Sequence, residues 1–382
     1  MFTRFSIVLV LLVLLVALLP LTVVAQEGPP PAEIDGDILA EGFNAPMGLY
    51  VDADGNVWVI DSGLGGDEEV QYINVETEEL EPAAFGNSAR IVKVSPAGEQ
   101  EVIAALPSVF AGDESIGGAR LVEMDGTIYA TVGHWTTANG PEALPLFATV
   151  VKIEDGEPVE VADIWAHEDA ENPDGTTLRD THPYGITAGP DGNLYVADAG
   201  GNALLRVDPM SGAVETVAVF DPLPSPFPSQ FRDGEMLTDP VPTNVVFGAD
   251  GAAYVSLLTG FPFIPGSAGV MQVAEDGTVS EFATGLTMLV DLAMGPDGNL
   301  YVVSFGMFNE EGPVFNSGQV VRILEDGSSE VVVDGLPFPT AVAFNAAGDG
   351  YVVINGVGAP GSGAVVLYEA LTETEGMMLE GG

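Results

Sequence analysis

Gly185-Ile-Thr-Ala-Gly-Pro-Asp-Gly-Asn-Leu-Tyr-Val196 holds an apolar run, a tight turn and a second apolar run. The Asp-Gly-Asn turn supplies the positive φ that short hairpins require, so the stretch reads as two antiparallel strands, a and b. The same spacing returns at Gly48–Val59, Asn244–Val255, Asp291–Val302 and Ala341–Val352, and one residue shorter at Arg120–Ala130. Each copy carries a turn glycine and then an aromatic: Trp58, Tyr129, Tyr254, Tyr301 or Tyr351. A second hairpin, strands c and d, follows at Ala89–Ile103, Thr149–Val161, Ala203–Val217, Gly269–Phe282 and Gln319–Val332. Four short antiparallel strands repeated six times predict an all-β, six-bladed β-propeller with four-stranded antiparallel blades.

The sixth copy has strand c at Gly363–Tyr368 and no clear strand d after it. Ile38-Leu-Ala-Glu-Gly-Phe43 resembles the strand-d endings Glu281–Leu286 and Val331–Leu336. An N-terminal strand is therefore expected to complete the last blade and close the ring, which removes free sheet edges. Ahead of it, Arg4, the apolar run Ile7–Leu19 and the small residue Ala25 read as a cleaved signal peptide, 1–25, with an uncleaved membrane anchor as the alternative. Residues 26–35 read as a Pro-rich linker, 36–370 as the propeller and 371–382 as a C-terminal tail. Export implies a secreted or periplasmic protein with no membrane span after cleavage, and a monomer is expected.

Composition excludes several functions. Nine Lys+Arg stand against 57 Asp+Glu, a formal net charge of −48. So few cations cannot build the basic footprint that nucleic acid requires, and anionic lipid is disfavoured for the same reason. With 47% hydrophobic residues the acidity does not imply disorder. The chain has no Cys, which excludes disulfides and thiolate chemistry, and its three His argue against a His-rich metal site. Gly-x-Ser-x-Gly, P-loop and His-Glu-x-x-His motifs are absent.

The chain is longer than six plain blades need. The surplus falls in the b–c connections 62–88, 133–146, 257–268 and 305–317 and in the d–a connections 106–118, 165–182 and 221–242. In an antiparallel blade both classes emerge on one face, so that face is the expected binding face. On it strand a begins with Gly48, Arg120, Gly185, Asn244, Asp291 and Ala341, and strand b ends with Asp61, Val132, Asp198, Leu257, Ser304 and Ile354. The polar members Asp61, Asp198, Asn244 and Asp291 are the candidate metal ligands. Oxygens of this kind suit Ca²⁺, the one cofactor the sequence suggests, or a hydroxylated ligand; each Asp can equally cap a loop backbone. Arg120 and Tyr184 join these four as candidate ligand-binding residues. His182, in Asp180-Thr-His-Pro-Tyr-Gly185, is the candidate general base. His134-Trp135 and Trp165-Ala-His167 add loop aromatics, and Leu258-Thr-Gly-Phe-Pro-Phe-Ile-Pro-Gly266 reads as an apolar lid.

Asn172-Pro-Asp-Gly175, His182-Pro-Tyr-Gly185, Val196–Val207, Thr216–Phe220, Val241-Pro-Thr243 and Leu258–Phe263 together resemble the ScyD/ScyE family. These are exported six-bladed propellers named for proteins encoded with a cyanobacterial sunscreen-pigment pathway. His182 stands where the family pattern has Asn. The resemblance implies fold and export but no defined reaction. More distantly the repeat is similar to NHL, gluconolactonase and streptogramin-lyase propellers. The expected function is binding of a small molecule or a protein partner through the long-loop face. The alternative is a hydrolase or lyase at the channel mouth, with or without a divalent cation.

Overall fold

The computed structural model describes residues 34–74, 79–112, 114–310 and 312–379. The signal-peptide segment and most of the linker lie outside these residues. Six antiparallel sheets follow one another along the chain. Blade 1 is built of Pro46–Val51, Val57–Asp61, Glu79–Val94 and Gln100–Ala111. Blade 2 is Gly118–Met124, Thr127–Val132, Thr149–Glu154 and Glu157–Asp163. Blade 3 is Pro183–Ala188, Leu194–Asp198, Ala203–Val207 and Val214–Val219. Blade 4 is Pro242–Phe247, Ala253–Leu257, Ala268–Val273 and Val279–Leu286. Blade 5 is Leu289–Met294, Leu300–Ser304, Gly318–Ile323 and Ser329–Leu336. Blade 6 is Ala341–Phe344, Gly350–Ile354 and Gly363–Tyr368, with Asp37–Phe43 from the N-terminus as its outer strand. That outer strand pairs Asp37 with Leu367 and Phe43 with Gly363.

The repeated turn has a local chemistry. Asp191 accepts hydrogen bonds from the Asn193 backbone N–H (3.1 Å), its side-chain amide (2.8 Å) and the Tyr195 hydroxyl (3.2 Å). Asp297, Asn299 and Tyr301 repeat the arrangement at 3.2, 2.7 and 3.0 Å. One carboxylate thus closes the turn and anchors the aromatic of strand b, with Gly192 and Gly298 at φ 79° and 83° making the reversal. In blade 1 the indole of Trp58 takes the tyrosine's place on Asp52 (2.9 Å). Burial works to raise Asp52, but the bonds from Trp58 and Asn56 prevail and hold its carboxyl at about 2.

Alternate residues of each strand face neighbouring blades, so the core divides into blade-to-blade layers. One layer joins Ile60, Ile91 and Leu106 of blade 1 to Leu121, Ala130 and Val151 of blade 2. Another joins Phe43, Val353 and Val365 of blade 6 to Leu49, Val59 and Val92 of blade 1. Corresponding layers join blades 2–3, 3–4, 4–5 and 5–6.

A seventh layer has no counterpart in the repeat. Tyr72, Ala83, Val109, Trp135, Phe147 and Trp165 form it from the insertions of blades 1 and 2. Several stretches expected as loops are therefore ordered. Glu68–Asn74 pairs with the first half of blade 1's strand c, placing Tyr72 opposite Glu81. Glu114–Ile116 turns back on the end of strand d. After blade 2 a helix spans Ile164–Glu171: Asp163 caps its first turn through the Ala166 N–H (2.9 Å), and Asn172 ends it in a left-handed conformation. Trp165 and Glu168, three residues apart, share its buried face.

The C-terminal segment is likewise not a free tail. Leu371 is buried against blades 5 and 6, and Met377–Met378 adds a short strand to the outer edge of blade 5. Arg322 holds the connection through the carbonyls of Thr372 and Thr374, both at 2.9 Å.

Candidate functional site

One side chain ties the inner strands of several blades together. Arg120, at the start of blade 2, is 3% exposed. Its guanidinium donates to Asp291 Oδ1 (3.1 Å), Val290 O (2.5 Å), Thr340 O (2.9 Å), Ala119 O (3.1 Å) and Met47 O. A guanidinium has five N–H groups, and these five bonds tie it to inner segments of blades 1, 2, 5 and 6. Asp291 also accepts from Asn244 Nδ2 (2.6 Å) and from the Val342 N–H (2.8 Å). Asn244 Oδ1 takes the Val245 N–H at 2.9 Å. Arg120, Asn244 and Asp291 thus form one hydrogen-bonded network. Burial pushes the Asp291 carboxyl up, opposed by Arg120 and by the two amide donors.

Asp61 lies elsewhere. It receives the Arg90 backbone N–H (2.8 Å), Arg90 Nε (3.0 Å) and the Asn44 N–H (3.3 Å), and so locks the end of blade 1. Asp198 accepts from Thr181 Oγ1 (2.6 Å), the His182 N–H (2.7 Å) and the Gly201 N–H (3.2 Å). The four candidate ligands therefore serve three separate arrangements. Among the described residues no three Asp, Glu or His side chains gather as a metal centre.

From Arg120 a chain of side chains runs outward. Its guanidinium lies 4.6 Å from the centre of the Tyr184 ring. Tyr184 meets His182 edge-on at 5.1 Å, and His182 meets His134 at 5.6 Å. Burial, then the charges of His134 and Arg120, push His182 down to about 3, so its imidazole is neutral at physiological pH. His134 behaves oppositely. Burial works to lower it, but the Asp180 carboxylate prevails and raises it. His134 Nε2 lies 2.8 Å from Asp180 Oδ1, and Nδ1 lies 3.1 Å from the Tyr72 hydroxyl. That hydroxyl donates to the His134 carbonyl at 2.7 Å.

Beside this pair lies a cavity of 250 Å³, lined by Ile73, His134, Thr136, Ala138, Leu178, Asp180 and Phe231. Its walls come from the connections of blades 1 to 4. The polar atoms around it are incompletely paired: Asp180 Oδ1, although close to His134, is off the line of an aligned hydrogen bond. The Asn139 amide nitrogen and Arg179 Nε, next in sequence to the lining residues Ala138, Leu178 and Asp180 but not themselves on the wall, are likewise buried without a partner. Behind Asp180 sits Glu168, 2% exposed, which burial and then the charges of Asp198 and Asp174 raise to about 8. Burial likewise raises Asp198, to about 6.

Of the expected site residues, His182 packs on His134 of the cavity wall, Tyr184 lies between His182 and Arg120, Arg120, Asn244 and Asp291 share one network, Asp198 bonds Thr181 and the His182 N–H, and Asp61 stands apart. Tyr72, Asp180 and Glu168 are not singled out by the sequence. Only Glu168 has a local signal, the capped helix start at Asp163. In the apolar stretch Leu258–Gly266, the exposed Phe261 stacks on the exposed Phe227 at 6.1 Å, and the half-buried Phe263 meets Phe308 at 5.0 Å. No described helix is long and apolar enough to cross a membrane.

No protein-family profile matches the chain, and no curated protein matches it. Solved structures do. Virginiamycin B lyase from Staphylococcus aureus is 14% identical at TM-score 0.46, over 87% of this chain and 97% of that one. The PQQ-bound aldose sugar dehydrogenase of Streptomyces coelicolor is 14% identical at TM-score 0.51, over 89% and 99%. A putative oxidoreductase described as a glucose dehydrogenase, from a Thermus species, is 18% identical at TM-score 0.50, over 88% and 100%. At these identities the likeness to the two dehydrogenases defines the fold alone: the protein is a β-propeller.

Proposed function

We propose that this chain is an exported, monomeric binding propeller of the ScyD/ScyE type, taking a small molecule into the cavity beside His134 and Asp180. One observation carries the reading: Asp180 Oδ1, buried without an aligned partner, belongs to the wall of an otherwise apolar cavity of 250 Å³, and Asn139 and Arg179, each next in sequence to a lining residue, hold further unpaired atoms. Buried polar groups in native proteins are almost always satisfied, so an unpaired oxygen on a cavity wall is a group that a bound partner would answer. Ile73, Leu178 and Phe231 suit an apolar or aromatic body, and Asp180 suits a hydroxyl or amine on it. Export rests on the basic and apolar N-terminal segment.

The alternative, a hydrolase or lyase, draws on His182 as the base. Its depressed basicity makes it a poor proton acceptor near neutrality. His134 faces the Tyr72 hydroxyl through Nδ1 and the Asp180 carboxylate through Nε2, and the carboxylate favours its protonated form, which cannot accept a proton. Binding without chemistry is therefore the better reading. Equilibrium dialysis against hydroxylated aromatics, aromatic amines and monosaccharides tests it, comparing the protein with Ala138→Trp, which fills the cavity. At least one aromatic class is expected to bind and to lose tenfold or more in the variant. Binding that survives the filling, or none at all, rejects the cavity as the site.

A further inference from the structure

Glu168 and Asp198 are each 2% exposed, and neither forms an ion pair among the described residues. Their acidic neighbours are already matched: Asp180 faces His134, and Asp174 and Asp239 share Arg232. Two carboxylates are thus left together in the interior without a cation. Buried charge of this kind must be neutralised.

The local geometry shows where. A methyl group placed on Gly201 would lie 2.8 Å from Asp198 Oδ2 and 3.3 Å from Glu168 Oε2, so both carboxylates flank the space that the missing side chain leaves. The second Glu168 oxygen, Oε1, is buried without a partner. Thr181 Oγ1 lies 2.6 Å from Asp198 Oδ2 and adds a neutral oxygen to the same wall. The donor set is all oxygen, which selects hard cations.

We propose that Ca²⁺ binds between Glu168 and Asp198, with Thr181 as a third protein ligand. The ion sits behind blade 3 and away from the propeller axis, whose polar groups Arg120, Asn244 and Asp291 bond one another. It ties the capped helix Ile164–Glu171 to the end of strand b, and so braces the wall that carries Asp180. Two carboxylates rather than three place the affinity at the weak end, with Kd of about 0.1–1 mM, the range of extracellular modules.

Thermal melting of the full chain in CaCl₂, against NaCl at matched ionic strength, tests the site. The NaCl series removes the general screening that a chain of net charge −48 would feel. Ca²⁺ is expected to raise Tm beyond NaCl, and Glu168→Gln to abolish that rise while the exposed-turn variant Asp54→Asn keeps it. A direct probe accompanies the melt: Tb³⁺ luminescence sensitised by Trp165, displaced by Ca²⁺, absent in Glu168→Gln and in Gly201→Ala, whose methyl would occupy the cradle. No Ca²⁺-specific rise, or a rise and luminescence that survive both substitutions, overturns the site and leaves the two carboxylates neutralised by protons.

Discussion

The propeller axis and the flank of blades 1 to 3 both bury polar side chains, yet they differ in how those side chains are paired. At the axis Arg120 makes five hydrogen bonds and Asp291 accepts from Arg120, Asn244 and Val342. On the flank Asp180 Oδ1, Asn139 Nδ2 and Glu168 Oε1 are left without aligned partners. The first pattern is that of a fastening, in which every group is answered by the chain itself. The second is what the proposed site would require, since groups left without aligned partners are available to something else. Deviation from the repeat marked the axis in sequence, but incomplete pairing marks the flank in structure.

The sharpest way to break this contrast is at the axis. Arg120→Ala leaves Asp291 buried and uncompensated, and a loss of about 3–5 kcal/mol is expected in urea or thermal unfolding. A loss near 1 kcal/mol would mean that the network is looser than its bonds imply and that the axis can open to a ligand. Tyr72→Phe comes next. Its fully buried hydroxyl supports His134 through the carbonyl and Nδ1, and about 1 kcal/mol of stability should go with it. Ligand binding in the cavity should weaken in parallel; if only stability falls, the layer around Tyr72 is scaffold alone.

The smallest effect is a slope in pH. His134 has a folded-state pKa raised above its ordinary value by Asp180, against the opposing effect of burial. Its stabilising contribution is therefore complete below the unfolded value, about 6.5, and is lost as pH rises through the folded one. Between pH 6 and 9 the Tm of the wild type should fall relative to that of His134→Gln. Parallel curves would show that the His134–Asp180 contact carries no charge and would favour a neutral imidazole beside the cavity.

Much of the fold was readable because it repeats. Asp191-Gly-Asn-Leu-Tyr195 and Asp297-Gly-Asn-Leu-Tyr301 encode their turn, and the capture of the aromatic by the aspartate, within five residues. Even the use of Ile38–Phe43 as an outer strand of blade 6 followed from its likeness to the endings of other strands. The site was far less readable. Asp61, Asp198, Asn244 and Asp291 hold equivalent places in strands a and b, yet the structure assigns them to three different networks. Arg120 was legible as an oddity at the start of a strand; that it reaches blades 1, 5 and 6 was not.

By itself, then, the sequence determined the elements: twelve-residue hairpins, their order and the completion of the last blade. These depend on interactions a few residues apart, where turn chemistry and alternation decide the outcome. The tertiary structure alone decided which side chains meet. Tyr72 reaches His134 through the folding of insertions that carry no period, and Arg120 reaches Asp291 across 171 positions of chain through the packing of distant blades. Contacts over such separations depend on the packing of whole blades. Their partners are set by geometry that local spacing does not encode, and so the same aspartate can be a turn cap, a fastening at the axis or a wall of a site.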